Sequence, residues 1–334
     1  MKMRRVITWS LVIVATVAVI VLTCASVFML RYSLDPNPWR YDTEGSYRRL
    51  FEQYPETRPW VDSLRSINAL RDTFVVMPTG ERHHALYVWR GSRKTALVLH
   101  GWRGSSVKFL FLARMYERDF GYNVVVPDFH AHGQSEGEAI GMGWPDRKDM
   151  LHWMQLFATD TMAVHGVSMG GATTMMISAE KMPEGVKDVR FVDDCGYTSV
   201  WDEFSKEMRD RFGLPPFPLM YTGSLLCKLL YGWSFGEASA LRQVERSPYP
   251  MLFIHGDEDT FVPTEMGRRL YEAKQNNKEL WIVPGTAHAL SYKNHTEEYK
   301  ERVRAFLNLN ENLNENDNEN ENENKQLVNL STNN

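Results

Sequence analysis

Thr161-Met162-Ala163-Val164-His165-Gly166-Val167-Ser168-Met169-Gly170-Gly171 dictates the fold of this chain. Residues 161–165 form a short apolar run of strand character, and Ala172 to Met182 has helix character. The serine between them sits in the pattern G-x-S-x-G, in the strand-then-helix setting that gives the pattern its meaning. A tight strand-to-helix turn strains the serine backbone, and any side chain two residues to either side is expected to collide with it. The turn would expose the hydroxyl at a sheet edge, at a helix N-terminus that favours developing negative charge.

Outward from this turn, strands alternate with helices. Residues 74–77 and 84–89 read as two strands joined at Pro78-Thr79-Gly80. Residues 95–100 and 123–128 are short apolar runs, the mark of strands buried on both faces, and 189–193, 251–255 and 279–283 read as further strands. Helices are predicted over 107–118, closed by Gly121, and over 146–157, 264–275 and 295–307. This alternation predicts an α/β fold with a mostly parallel sheet and helices on both faces. Residues 197–247 break the rhythm. They hold a helix over 201–212, then Pro215, Pro216 and Pro218, then an aromatic, leucine-rich stretch from Tyr221 to Phe235. This insertion is expected to lie as a short lid over the C-terminal sheet edge, where open α/β sheets bind ligands.

A serine hydroxyl needs a base to attack at neutral pH. Among ten histidines, His288 stands out, because it follows the last strand in Val283-Pro284-Gly285-Thr286-Ala287-His288. His100, His130, His132 and His255 stand at strand ends as supporting groups; His83, His84, His152 and His295 fall in strand or helix patterns, as surface or structural residues. No H-x-x-x-H or H-E-x-x-H spacing argues for a metal. The base needs an orienting carboxylate, and His255-Gly256-Asp257-Glu258-Asp259 offers acids just past a strand. Asp259 completes the chain order serine, acid, histidine; Asp257 is the alternative, and whichever is not the orienting acid is expected to hold the loop. His100-Gly101-Trp102-Arg103-Gly104 follows a buried strand, and the amides of Trp102 and Met169 are the candidate oxyanion donors.

These motifs, with Asp128-Phe129-His130-Ala131-His132-Gly133-Gln134-Ser135, fall in an order that resembles the α/β-hydrolase superfamily over residues 70–308. Within it the chain is similar to membrane-anchored, serine-aminopeptidase-like and acyl-esterase-like hydrolases. The resemblance implies Ser168 as nucleophile, His288 as base, Asp259 as acid, and the Trp102 and Met169 amides as oxyanion hole, with no cofactor. Phe129-His130-Ala131 departs from the arginine that many relatives carry before the glycine-rich turn. The expected activity is cleavage of an ester, thioester or amide, with a small acyl ester preferred over a short peptide as substrate. That preference comes from an apolar lid and from the lack of a clear acidic anchor for an amine. The alternatives are a serine-aminopeptidase-like enzyme and a binding protein on an inactive hydrolase fold.

The ends read differently. Val6 to Leu30 holds no charge and follows Lys2, Arg4 and Arg5. As a helix it would reach roughly 37 Å, enough to cross a hydrocarbon core of about 30 Å. An uncleaved signal anchor with a cytosolic N-terminus fits better than a cleaved signal peptide, because Thr23-Cys24-Ala25 is a poor processing site. The expected organisation is an anchor over 1–31, a juxtamembrane segment over 32–69, a catalytic domain over 70–308 and a disordered Asn/Glu-rich tail over 309–334. The formal charge is −4, from 38 basic and 42 acidic residues. The last 27 residues carry six of the acids and one base, so the body is near neutral and no basic field argues for a nucleic-acid partner. Three cysteines make no disulfide framework, and Cys195 and Cys227 are expected as free buried thiols.

Overall fold

Eight strands form one sheet: β1 (Leu70–Val76), β2 (Arg82–Val88), β3 (Lys94–Leu99), β4 (Asn123–Pro127), β5 (Thr161–Val167), β6 (Asp188–Asp194), β7 (Met251–Gly256) and β8 (Lys278–Val283). They were obtained as a computed structural model that describes residues 2–308; the tail expected to be disordered lies outside the described residues. The order across the sheet is β1, β2, β4, β3, β5, β6, β7, β8. β1 and β2 pair antiparallel, as do β2 and β4; all other pairs are parallel. Register matters most for function. Gly166 lies opposite Leu99 and Asp193, and Gly256 opposite Val283, so β3, β5, β6, β7 and β8 end together. The loops that follow them leave from one edge.

The apolar runs are continuous because both sheet faces are covered. Leu97, Leu99, Val164, Phe191 and Phe253 enter one core, while Ala96, Val98, Ala163, Val192 and Leu252 enter the other. The helices are α1 (Lys2–Leu34), α2 (Thr43–Gln53), α3 (Thr57–Ser66), α4 (Leu110–Arg114), α5 (Asp146–Leu156), α6 (Met169–Ile177), α7 (Val200–Phe212), α8 (Leu219–Tyr231), α9 (Ala240–Val244), α10 (Thr264–Ala273), α11 (Ser291–Asn294) and α12 (Thr296–Phe306). Ser199 caps α7 by accepting from Asp202 N–H at 3.0 Å, and Gly213, at φ 63°, ends it.

Two expectations change. The single helix over 107–118 is a 3₁₀ turn (Ser106–Phe109), then α4, then a π turn (Met115–Asp119). Helix α6 starts at Met169 rather than Ala172, because Gly170 and Gly171 are its first turn. It stops at Ile177 rather than Met182. Tyr47 and Leu50 of α2, and Trp60, Val61 and Leu64 of α3, are buried in the same core as β3 and β6. Helix α1 runs on to Leu34, and both Leu30 and Leu34 are core residues. Among the described residues, α1 is the helix long and apolar enough to cross a membrane.

Candidate active site

Ser168 follows β5 with φ 59° and ψ −117°. A non-glycine residue held there costs on the order of 1–3 kcal/mol, which the surrounding structure must offset. Its N–H is held by the Asp194 carbonyl at 2.8 Å. The flanking glycines are required, though not by the serine side chain. A Cβ on Gly166 would strike the Gly170 carbonyl, and a Cβ on Gly170 would strike the carbonyls of Leu99 and His100. The turn's two sides and strand β3 leave no room.

His288, past β8, brings Nε2 to 2.9 Å from Ser168 Oγ. Its Nδ1 lies 2.7 Å from Asp259 Oδ2. The other oxygen, Asp259 Oδ1, accepts from the amides of Phe261 and Val262 at 3.0 and 2.9 Å. Burial works against the charge of Asp259. Bonds from His255 and His288 outweigh it and hold the carboxyl down at about 2. His255 Nε2 stands 3.4 Å from Asp259 Oδ2 and 2.9 Å from the Val262 carbonyl. Burial opposes charge on its ring, yet Asp259 and the Val262 carbonyl raise its pKa overall. Asp257 does not reach His288; its Oδ1 accepts from Thr286 N–H at 3.3 Å, on the loop that carries the histidine.

The loop after β3 is set by two neutral imidazoles. His100 Nε2 accepts from Phe129 N–H at 3.1 Å, so Nδ1 donates to the Gly101 carbonyl at 2.8 Å. His132 Nε2 accepts from Arg103 N–H at 3.0 Å, beside Trp102. Burial pushes the His100 pKa down to about 4 and holds that of His132 well below the usual imidazole range. His83 and His84, expected at the surface or in a structural role, are fully buried; His84 Nδ1 lies 2.7 Å from Asp128 Oδ2, which carries the same loop network. Asp128 Oδ1 in turn accepts from Ser106 N–H.

A cavity of about 310 Å³ opens in front of Ser168, with Trp102, Met169, Tyr197, Phe204 and Phe261 on its walls. Sequence reasoning missed two contributors. Tyr32 and Ser33 of α1 line it, and Trp102 Nε1 donates to the Ser33 carbonyl at 2.9 Å. Glu203 of α7 also lines it, buried, with neither carboxylate oxygen bonded. Burial, and then Glu207, push the Glu203 carboxyl up to about 8. Two clusters have metal-ligand chemistry. Glu81, His83 and His130 bring ligand atoms within 4.8 Å of one another, as do Cys195, Asp259 and His288. In the second, His288 already bonds both Asp259 and Ser168, and burial pushes the Cys195 thiol well up, away from the thiolate a metal needs. The three cysteines are free, Cys195 and Cys227 being buried.

Comparison with known proteins agrees with this fold. The family model described as "Alpha/beta hydrolase family" matches residues 96–302. The uncharacterized protein YqkD of Bacillus subtilis is 28% identical over 223 residues, 65% of this chain and 72% of that one. A carboxylesterase of the same organism is 25% identical over 245 residues, covering 66% of this chain and 95% of the relative. The structure of the Pyrococcus furiosus esterase Pf2001 superposes with a TM-score of 0.59 at 22% identity, over 73% of this chain and 94% of the other, a likeness of fold.

Proposed function

This chain belongs to the alpha/beta hydrolase family, and on that premise we propose that it is a serine hydrolase acting on carboxylic esters through an acyl-enzyme on Ser168. One observation carries the reading: the unbroken relay from Asp259 through His288 to Ser168, with bonds of 2.7 and 2.9 Å. His288 takes the serine proton as Oγ attacks the carbonyl, then gives it to the departing alcohol. Asp259 fixes the proton on Nδ1 and balances the imidazolium charge. The amides of Met169, at the head of α6, and Trp102 receive the oxyanion. Water then attacks the acyl group with His288 as base, and the acid leaves. Residues 197–247 act as the lid, with α7 roofing the cavity. Helix α1 anchors the protein in a membrane, with the N-terminus cytosolic by the basic residues that precede its apolar run.

A second reading rests on Glu203, an acid that the sequence argument did not find. An unbonded buried carboxyl facing the nucleophile could hold the ammonium of an aminoacyl substrate. Burial and Glu207, however, raise its pKa and disfavour a fixed negative charge there. That favours the ester. The test is a panel of p-nitrophenyl esters and aminoacyl p-nitroanilides, run on the full chain and on Ser168→Ala. Ester turnover lost in the variant supports the proposal. Turnover of anilides alone, abolished by Glu203→Gln, moves the assignment to a peptidase, and turnover that survives Ser168→Ala rejects a serine mechanism.

A further inference from the structure

The cavity at Ser168 does not end there. It shares Tyr32, Ser33, Phe204, Glu207 and Arg211 with a second cavity of about 160 Å³. Beyond those shared residues every lining side chain is apolar. Ala25, Phe28 and Met29 come from α1, Met208 and Phe212 from α7, Leu214 from the segment after it, and Leu219 from α8. Arg211 and Glu207, the charged residues at the junction, pair with each other, and Arg211 also reaches the Tyr32 hydroxyl at 3.2 Å. The groove thus changes from polar at the serine to purely apolar at its far end.

That far end lies at the depth where α1 leaves the bilayer. A hydrocarbon core of about 30 Å takes about 20 helical residues. Counted from Val6, those residues run to Ala25, which lines the groove. From Met3 to Val21 the side chains of α1 are exposed, whereas Ser26, Leu30 and Leu34 are buried against the protein. Helix α8 is the partner there. Ser26 and Thr222 hydroxyls bond at 2.6 Å, and Gly223 leaves space that Met29 fills. The opposite side of α8 presents Tyr221, Leu225 and Leu229, spaced four residues apart and 59–71% exposed, with Phe217 just before them at 72%. An apolar stripe alongside a membrane-crossing helix is matched to lipid rather than to water.

We propose that the substrate is a long-chain acyl ester taken sideways from the bilayer, its chain lying in the groove between α1, α7 and α8 and its carbonyl at Ser168. This rests on the serine-hydrolase reading. Ser168 Oγ bonds to the acyl carbon, the ester C–O bond breaks, and the alcohol departs with the proton that His288 took from the serine. Water then supplies hydroxide to the acyl group and a proton to Oγ, releasing the fatty acid into the groove beside the membrane.

The experiment compares p-nitrophenyl butanoate with p-nitrophenyl dodecanoate on the full chain in detergent micelles. Each buried methylene is worth about fourfold in affinity. Eight more methylenes, only partly buried, should raise kcat/KM by at least about 100-fold. Leu214→Trp and Ala25→Phe, which fill the groove from different elements, should each lower the dodecanoate-to-butanoate ratio at least about tenfold. Partition into micelles cancels in that comparison, and circular dichroism reports whether the variants fold. A wild-type ratio below ten overturns the proposal even if both variants misfold, and so does an unchanged ratio in folded variants. If butanoate is cleaved by a Ser168-dependent reaction, that failure belongs to the lipid assignment alone. If neither ester is cleaved and a fluorophosphonate leaves Ser168 unlabelled, the serine-hydrolase reading falls and this proposal with it.

Discussion

Replacing Asp259 with asparagine should stop turnover and leave a folded protein, for a reason visible in the bond pattern. The carboxylate accepts on both sides: Oδ1 takes the amides of Phe261 and Val262, and Oδ2 faces His288 Nδ1. Asparagine has one acceptor and one donor end. Two fixed backbone donors claim the oxygen, so the amide nitrogen must face Nδ1. The imidazole then carries its proton on Nε2, against the Ser168 hydroxyl 2.9 Å away, and has no lone pair to take the serine proton. A wrong tautomer of this kind costs about 10⁴ in turnover, or about 5 kcal/mol in the barrier. Stability falls less. The carboxyl is held at about 2 against an ordinary 3.8, which amounts to about 2 kcal/mol. Because the folded pKa is depressed, that contribution is present above the unfolded value and is lost as pH falls toward 2. The wild-type advantage in stability should therefore be seen at pH 7 and vanish in strong acid. Asp257→Asn is the control. That residue is exposed, accepts a single bond at 3.3 Å, and keeps its oxygen as asparagine. It should change turnover less than about twofold and stability by less than about 0.5 kcal/mol. The assay is kcat on p-nitrophenyl butanoate with melting temperature for both variants. Turnover of Asp259→Asn within tenfold of wild type, or an inactive Asp257→Asn, would refute the assignment.

Other changes should separate the roles of neighbouring features. Gly170→Ala places a Cβ into the carbonyls of Leu99 and His100 and should abolish folding, whereas Gly185→Ala, at φ 92° with open space around it, should cost only about 1 kcal/mol; thermal melts decide. Asp193 is fully buried, and burial pushes its carboxyl up to about 7. A raised folded pKa means that stability is lost as pH rises from the unfolded value toward 7, so Asp193→Asn should flatten the fall in melting temperature between pH 4 and 7. Deleting residues 1–20 should leave the melting temperature unchanged, but deleting 1–30 removes Leu30, 2% exposed in the core. The longer deletion should cost about 2–5 kcal/mol.

The strands were legible because continuous apolar runs such as Val124-Val125-Val126 suit only a sheet covered on both faces. The serine turn was legible because glycines at 166 and 170 have no other explanation than a close backbone approach. The same glycines concealed the start of α6, since composition reads Gly170-Gly171 as a break. Helices α2 and α3 carry a signal that a count of apolar residues overlooks: Tyr47, Leu50 and Phe51 recur at helical spacing in α2, and Trp60, Val61 and Leu64 in α3. Which of Asp257 and Asp259 meets His288 depends on how one loop folds, and spacing alone left both open. The cavity's outer wall was not legible at all. Tyr32 and Ser33 lie just past the apolar run, and their place beside Trp102 follows from α1 docking on α8, a contact between segments almost two hundred residues apart.

The most direct test of the account is to react the full chain with a fluorophosphonate and map the adduct by peptide mass spectrometry. A single modification on Ser168, lost in His288→Ala as the hydroxyl loses its base, is the predicted result. An adduct on another serine, or labelling of Ser168 that proceeds undiminished without His288, would contradict the claim that these two side chains form the catalytic centre.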